Sequence, residues 1–148
     1  MQLAQINIAK PKAALDDPLM KDFVDNLAHI NALAESSEGF VWRFQKNYES
    51  NKETTSYFGD ASILPNLSVW KSLEDLKNFL FKTEHLVFLK RRREWFETIS
   101  TPSFIMWWVP KGHRPSLAEA NERLNYYTKN GESSYAFTIK KPHQAPFL

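Results

Sequence analysis

The 148-residue sequence contains no cysteine and only 4 glycines, and both shortages restrict the functions that it can carry. Without cysteine the chain cannot form disulfides, use a thiolate nucleophile or hold a metal through sulfur. So few glycines leave no Gly-rich phosphate loop, no Rossmann fingerprint and no Gly-x-Ser-x-Gly elbow. The lack of cysteine fits a reducing compartment, and we expect a cytoplasmic protein.

The sequence also lacks long hydrophobic runs and a strong excess of either charge. No stretch approaches the ~18 apolar residues of a membrane span, and the N-terminal MQLAQINIAKPKA does not have the pattern of a signal peptide. The formal net charge is +2, which does not favour nucleic acid or an anionic membrane as a partner. We therefore predict one domain, residues 1–148, that binds neither nucleic acid nor membrane.

Metal binding is not expected either. The 4 histidines are the strongest potential ligands in a chain without cysteine. They are His29, His85, His113 and His143. No two of these histidines have the i, i+3 or i, i+4 spacing that places two ligands on one helix face.

Aromatic residues are abundant, with 5 Trp, 5 Tyr and 11 Phe. Large rings contribute much of the buried area wherever they occur, so these must line a core, an interface or a pocket.

Hydrophobic periodicity and turn signals predict the order of helices and strands. Apolar alternation predicts strands at residues 3–9, 39–45, 67–70, 104–109 and, at an edge, 135–140. Caps at Asp17, Ser72, Thr83 and Ser116 predict helices, the last ending near residue 130. Residues 47–60 are polar and predict a long loop or insertion.

This order predicts an α+β, ferredoxin-like antiparallel sheet with helices on one face. Both faces of strand 104–109 are apolar, so the face that the helices leave bare needs a second layer. We expect a homodimer in which two sheets pair as a dimeric α/β barrel. The alternative is that Phe137, the C-terminal tail or the long loop covers this face within one chain.

Three segments carry a family resemblance: LAQINIAKPKAALDDPLMKDFVDNLAHINALAESSEGFVWRF, LPNLSVWKSLEDLKNFLFKTEHLVFLKRRREWF and MWWVPKGHRPSLAEANERL. They resemble the uncharacterised bacterial family named domain of unknown function 3291, over about residues 3–137. That family resembles the dimeric α/β-barrel superfamily, which includes antibiotic-biosynthesis monooxygenases, related small oxygenases and isomerases, and haem-binding proteins of the chlorite dismutase group. The resemblance implies the fold but selects no reaction.

His85 is the first candidate catalytic residue. Several superfamily members carry a histidine on the helix after the third strand, and Trp70, Ser72 and His85 resemble that pattern. A neutral imidazole there could act as a general base, a hydrogen-bond donor or a haem ligand. The alternative is a structural histidine at the Thr83 turn.

His113 and Arg114 follow the aromatic strand FIMWWV and precede a capped helix. We interpret them as an anion clamp, with Arg114 gripping a carboxylate or phenolate and His113 donating a hydrogen bond. The alternative is that Arg114 pairs with Glu119 or another acid and holds the loop in place.

Rings and polar side chains supply the candidate ligand-binding set. Such rings are more often core residues than pocket residues. Trp107 and Trp108 must point to opposite faces, so only one of them can reach a given pocket. The set is Trp42, Arg43, Asn66, Trp70, Phe81, Trp95, Trp107 and Trp108.

The basic run from Lys90 to Arg93 does not predict nucleic-acid binding. Four consecutive helical residues spread around a full turn, and Glu94 and Glu97 dilute their charge. We expect at least one arginine to turn inward to an acid.

These observations leave three functional hypotheses. The first is a small cofactor-independent monooxygenase-like enzyme that acts on a planar or hydrophobic molecule, with His85, His113 and Arg114 as catalytic residues. The second is a binding or sensing module with the same pocket, and the third is a haem-binding protein. We expect no tightly held cofactor in the first case.

Overall fold

The computed structural model describes residues 1–45, 54–99 and 102–146. The strands are β1 (Gln2–Ala9), β2 (Phe40–Arg43), β3 (Leu64–Trp70) and β4 (Phe104–Val109). A 3-10 turn at Pro18–Met20 leads into the first of the helices α1 (Lys21–Ser36), α2 (Leu73–Lys82), α3 (His85–Trp95) and α4 (Leu117–Asn130). In the described ranges, no helix is both long and apolar enough to cross a membrane.

The strands form one sheet in the order β2-β3-β1-β4, and every neighbouring pair is antiparallel. β1 and β2 therefore run the same way with β3 between them, and β3 and β4 do so with β1 between them. This is the split βαβ arrangement, so the predicted α+β, ferredoxin-like sheet is confirmed.

Side-chain caps are present at three of the four predicted positions, whereas the N-cap of α3 is Glu84 rather than Thr83 and makes no side-chain cap bond. The Asp17 carboxylate accepts a hydrogen bond from the Leu19 N–H and opens the 3-10 turn. The Ser72 and Ser116 hydroxyls accept from backbone N–H groups three residues on, at Asp75 and Glu119. Each bond satisfies one N–H group that has no acceptor within its own helix.

One face of the sheet is covered by the crossover helices. Leu76 and Phe79 of α2 pack with Leu3 and Trp70 of the sheet, and Ile30 of α1 joins the same cluster. This confirms that the helices connecting parallel strands lie on a common face.

The opposite face is covered in part by α4 of the same chain, which differs from what we expected. Leu117, Ala120 and Leu124 pack on this face against Ile6 and Trp107. The sequence predicts this helix correctly, but it predicts a second subunit on the sheet face that α4 covers. The apolar stripe of α4 must be buried, and this face of the sheet is the nearest apolar surface. Dimer pairing therefore remains a prediction.

The predicted fifth strand, residues 135–140, is wrong. Only Phe137 pairs with the sheet, through an isolated bridge in which Phe137 and Met106 exchange backbone hydrogen bonds of 2.9 and 2.8 Å. Bends at residues 134–136 and a turn at residues 139–140 flank Phe137, so the backbone is not extended long enough to form a regular strand.

The predicted long loop, residues 47–60, lies partly outside the described residues. Residues 54–58 within it are helical, so this part is not a loop, and the alternative of an insertion stays a prediction. Phe58 of this helix packs against the α4 side of the sheet.

Candidate functional site

An open groove of about 560 Å³ runs beside the edge strand β2. Its volume lies within the range of ~300–1,000 Å³ that is usual for small-molecule sites. It brings together three of the predicted residues, Trp42, Arg43 and Arg114. The full lining is Glu35, Phe40, Val41, Trp42, Arg43, Gln45 and Arg114.

An irregularity in β2 shapes the floor of this groove. The pairing of β2 with β3 shifts register between Phe40 and Trp42. Phe40 consequently joins the cluster under α1 and α2, whereas Trp42 packs against the α4 side. A bulge of this kind re-aims side chains at a sheet edge, and here the half-buried Trp42 ring faces the groove.

A turn anchored to β1 brings Arg114 to the groove from the far side of the sheet. The Gly112 N–H donates to Gln2 Oε1 at 3.2 Å, and the His113 N–H donates to the Pro110 carbonyl at 3.0 Å. Gly112 has φ +87°, a left-handed backbone conformation that residues with a Cβ atom rarely adopt. The turn after β4 therefore crosses the end of the sheet, where the Arg114 side chain reaches β2.

The two arginines of the groove have different electrostatic environments. Arg43 Nε donates to Glu35 Oε1 at 2.6 Å, so its charge is balanced. Arg114 is exposed and forms no ion pair within the described ranges. The expected alternative, pairing of Arg114 with Glu119, does not occur in the structure. The groove therefore carries one uncompensated positive charge next to an indole ring.

His113 pairs with the acid instead. His113 Nε2 lies 2.7 Å from Glu119 Oε1, and the Trp107 indole N–H donates to Glu119 Oε2 at 2.9 Å. The carboxylate thus fixes the imidazole ring and leaves Nδ1 directed away from it. His113 does not line the groove, although it adjoins Arg114 in the chain. The structure therefore separates the two halves of the predicted anion clamp.

His85 lies on another part of the molecule, at the first residue of α3. Its ring contacts Phe79 with a centroid distance of 4.8 Å, and Nδ1 is 3.3 Å from the Leu80 carbonyl oxygen. Its backbone N–H donates to the Thr83 hydroxyl. Burial lowers the pKa of the imidazole, and the hydrogen bond to the Leu80 carbonyl opposes that shift. These contacts are those of the structural alternative, and His85 is absent from the groove lining.

The remaining predicted ligand-binding residues are spread over the core and surface. Trp70, Trp95 and Trp107 are fully buried. The Trp108 indole N–H donates to the His143 carbonyl at 2.8 Å, and Asn66 accepts from Gln5 at 2.8 Å. Phe81 is exposed on α2. None of these lines the β2 groove.

Sequence reasoning missed four of the groove residues, Glu35, Phe40, Val41 and Gln45. Glu35 lies at the end of α1, eight positions before its partner Arg43. No local spacing rule links a helix end to a following strand, so this pair could be recognised only from the fold. Glu119 was considered as a partner of Arg114, whereas in the structure it pairs with His113.

The described ranges contain no cluster of three or more His, Asp or Glu residues arranged to hold a metal ion. In the groove, the potential ligand atoms are those of Glu35 and Gln45, and Glu35 is engaged by Arg43.

The family profile described as domain of unknown function (DUF3291) matches residues 2–147, so the chain belongs to this family. A comparison with curated proteins gave no significant match.

Three solved structures share the fold at low sequence identity. SnoaB from Streptomyces nogalater, described as a cofactor-independent oxygenase, is 14% identical, with a TM-score of 0.50 over 74% of this chain and 94% of that one. NE2512 from Nitrosomonas europaea, of unknown function, is 13% identical, with a TM-score of 0.51 over 78% and 95%. PA3566 from Pseudomonas aeruginosa is 12% identical, with a TM-score of 0.50 over 74% and 94%. These neighbours have the dimeric α/β-barrel, antibiotic-biosynthesis-monooxygenase-like fold.

Proposed function

We propose that this DUF3291 protein binds a planar organic anion, such as an aromatic carboxylate or phenolate, in the groove beside β2. The observation that carries the proposal is the position of Arg114, whose unpaired guanidinium lies in the same groove as the Trp42 ring. An indole offers a flat apolar surface, and a guanidinium offers paired donors to two oxygens.

The Glu35–Arg43 pair limits which ligands suit the groove. Because Glu35 neutralises Arg43, a ligand with one negative charge matches the single free cation. A second anionic group would meet the Glu35 carboxylate. A monoanion with a ring is therefore the best match to the groove.

Isothermal titration calorimetry with 1-hydroxy-2-naphthoate as the ligand tests the proposal. We expect Arg114→Gln to weaken binding at least about tenfold, since a charge-assisted hydrogen bond contributes about 1.5–3 kcal/mol. Lys111→Gln, an exposed change in the same turn, is the matched control and should leave affinity unchanged. Equal affinity of the parent and the Arg114→Gln variant would refute the proposal.

A second candidate function is cofactor-independent, monooxygenase-like turnover of the bound anion. The observation that favours it is the His113–Glu119 pair, because a carboxylate-oriented imidazole is a suitable general base. SnoaB provides a precedent for oxygenase activity on this fold, although a shared fold does not by itself transfer a reaction.

Such a reaction needs no external reductant. A base removes a proton from an acidic ring methylene, and the resulting carbanion donates electrons to oxygen. The methylene becomes a carbonyl with one oxygen atom, and the other oxygen atom leaves as water with the two methylene hydrogens. The chain's contribution would be anion binding at Arg114 and a base at His113, oriented by Glu119. Because His113 lies outside the groove lining, this reaction requires a substrate that extends from the groove to His113.

Oxygen uptake with the planar anthrone dithranol separates this candidate from simple binding. Turnover predicts uptake above the spontaneous rate, its loss in His113→Gln and a smaller decrease in Glu119→Gln. If uptake by the parent equals the spontaneous rate while naphthoate still binds, the protein is a binding module for this class of ligand.

A further inference from the structure

An acidic turn with exposed leucines precedes α1. Leu15 and Leu19 are 43% and 49% exposed, which is high for such large apolar side chains. Between them, Asp16 has no ion pair within the described ranges, and Asp17 uses one oxygen to cap the Leu19 N–H. We call residues 15–19 the acidic turn.

A basic groove of about 400 Å³ lies on α3, lined by Leu86, Leu89, Lys90, Arg92 and Arg93. Leu86 and Leu89 supply apolar lining, while the side chains of the three cations have no ion pair in the part of the chain that the structure describes. Arg91 differs from its neighbours, because it pairs with Asp22 and Glu94 and lies 4.6 Å from the centre of the Trp95 ring. Three of the four consecutive basic residues are thus left without an acid.

The acidic turn and the basic groove lie close together. The Lys12 N–H donates to the Trp95 carbonyl at 2.8 Å, and Lys12 Nζ donates to the Arg93 carbonyl. Pro11 and Phe96 form an isolated backbone bridge. The segment that leads into the acidic turn is therefore fastened to the end of α3, beside the basic groove.

We propose that these two surfaces bind each other between two copies of the chain. Leu15 and Leu19 of one copy would cover Leu86 and Leu89 of the other, and Asp16 would meet the unpaired cations. The occupant is a second copy because one chain carries both surfaces. Among the described residues, unpaired cations lie beside the half-buried Leu86 and Leu89, and an unpaired acid lies beside the exposed Leu15 and Leu19. Because the two surfaces are neighbours, a two-fold axis between them lets the acidic turn of each copy contact the basic groove of the other.

This interface is an alternative to the pairing of sheet faces in a dimeric α/β barrel, so the two predictions compete. It uses the outer surface of the helical layer, whereas α4 already covers part of the sheet face opposite. It also leaves the β2 groove free, because the two grooves share no lining residue. The inference therefore does not depend on the proposed ligand.

A charge-swap experiment tests the interface by sedimentation velocity and native mass spectrometry of the full chain. Because the surface is small for a stable dimer, we expect micromolar affinity and use about 100 µM protein. The parent should be a dimer. Arg92→Glu with Arg93→Glu, and separately Asp16→Lys, should each give monomers, since both contacts in each dimer then oppose like charges.

Mixing the two variants in equal amounts should restore a dimer that contains one copy of each. In that mixed dimer, the glutamates meet the lysine at one contact, and the native charges meet at the other. Lys129→Glu with Lys140→Glu is the control of equal charge change on exposed positions, and it should remain dimeric. Circular dichroism checks that every variant is folded.

Three results would overturn the inference. A monomeric parent at this concentration excludes the contact. A dimer that persists in both charge variants places the interface elsewhere, such as on the sheet face. Two folded monomeric variants that do not combine on mixing contradict the reciprocal contact.

Discussion

At the scale of single residues, the histidines illustrate how much the surroundings decide. His29 and His113 lie on the surface, each with a ring nitrogen 2.7 Å from a carboxylate, of Glu84 and Glu119 respectively. His85 is packed against a phenylalanine ring and has no acidic partner among the described residues. The sequence offers the same side chain in each case, so only the fold separates the two carboxylate-bound histidines from the structural one.

His85 should make stability fall in mild acid. Burial lowers its pKa in the folded protein below the ordinary value of 6.5, so the unfolded chain takes up the proton first as the pH falls. Its contribution is therefore fully present above about pH 6.5 and decreases as the pH falls toward the folded pKa.

Urea unfolding of the parent and of His85→Asn between about pH 5 and pH 8 measures this effect. We expect the free-energy difference between the two proteins to shrink below about pH 6.5. A direct NMR titration of the His85 ring should give a pKa below 6.5. A difference that does not change with pH would contradict the assignment.

At the scale of elements, the turn between α1 and β2 is tightly fitted to the start of α2. Gly39 has φ +82°, and its carbonyl accepts a 2.7 Å hydrogen bond from the Lys71 N–H. A Cβ atom at Gly39 would overlap the Asp75 carboxylate, which the Ser72 hydroxyl holds at 2.9 Å. The turn thus fixes where the first crossover ends and the second begins.

Gly39→Ala should therefore be more destabilising than Gly112→Ala. Both positions have left-handed backbone, which costs an alanine about 1–2 kcal/mol. Only at Gly39 must a neighbouring side chain also move, because nothing lies within 4 Å of a Cβ at Gly112. Chemical denaturation of both variants measures the two losses of unfolding free energy. Equal losses would show that the Asp75 side chain moves away from the new Cβ atom at little cost.

Sequence patterns predicted most elements because the deciding signals are local. The cap at Ser116 and the continuous apolar, aromatic-rich run in residues 104–109 specify α4 and β4 without reference to the rest of the chain. The site was less predictable, since Arg114 and Trp42 meet only after opposite edges of the sheet are assembled. The fifth strand is absent because bends and a turn on either side of Phe137 leave a single pair with β4.

At the scale of the whole molecule, the sheet is shared by two hydrophobic layers. One layer lies under α1 and α2 and the other under α4, and Trp107 and Trp108 of β4 point into different layers. This confirms that adjacent tryptophans face opposite sides. Because both layers use the same strands, loss of packing on either side should weaken the entire fold.

Leu124→Ala tests whether α4 belongs to that cooperative unit. Leu124 is 5% exposed in the α4 layer, and truncating such a leucine typically costs about 2–5 kcal/mol. Val24→Ala, at a position 38% exposed on α1, should change stability by less than about 0.5 kcal/mol.

Within each variant, tryptophan fluorescence and circular dichroism should report the same unfolding midpoint. A small loss for Leu124→Ala, or two separate transitions, would indicate that α4 is only loosely attached to the sheet.

The bridge between Phe137 and Met106 has a consequence for how the chain avoids aggregation. β4 reads FIMWWV, an uncharged and strongly β-prone hexamer at the border of the sheet, and this composition is typical of segments that stack into fibrils. The Phe137 backbone occupies two of its outward hydrogen-bonding groups and so blocks in-register addition of another strand. During synthesis β4 leaves the ribosome before Phe137, so this border is unprotected until the C-terminal segment arrives. The segment around Phe137 thus protects the edge of β4 from pairing with other chains, in addition to its part in the core.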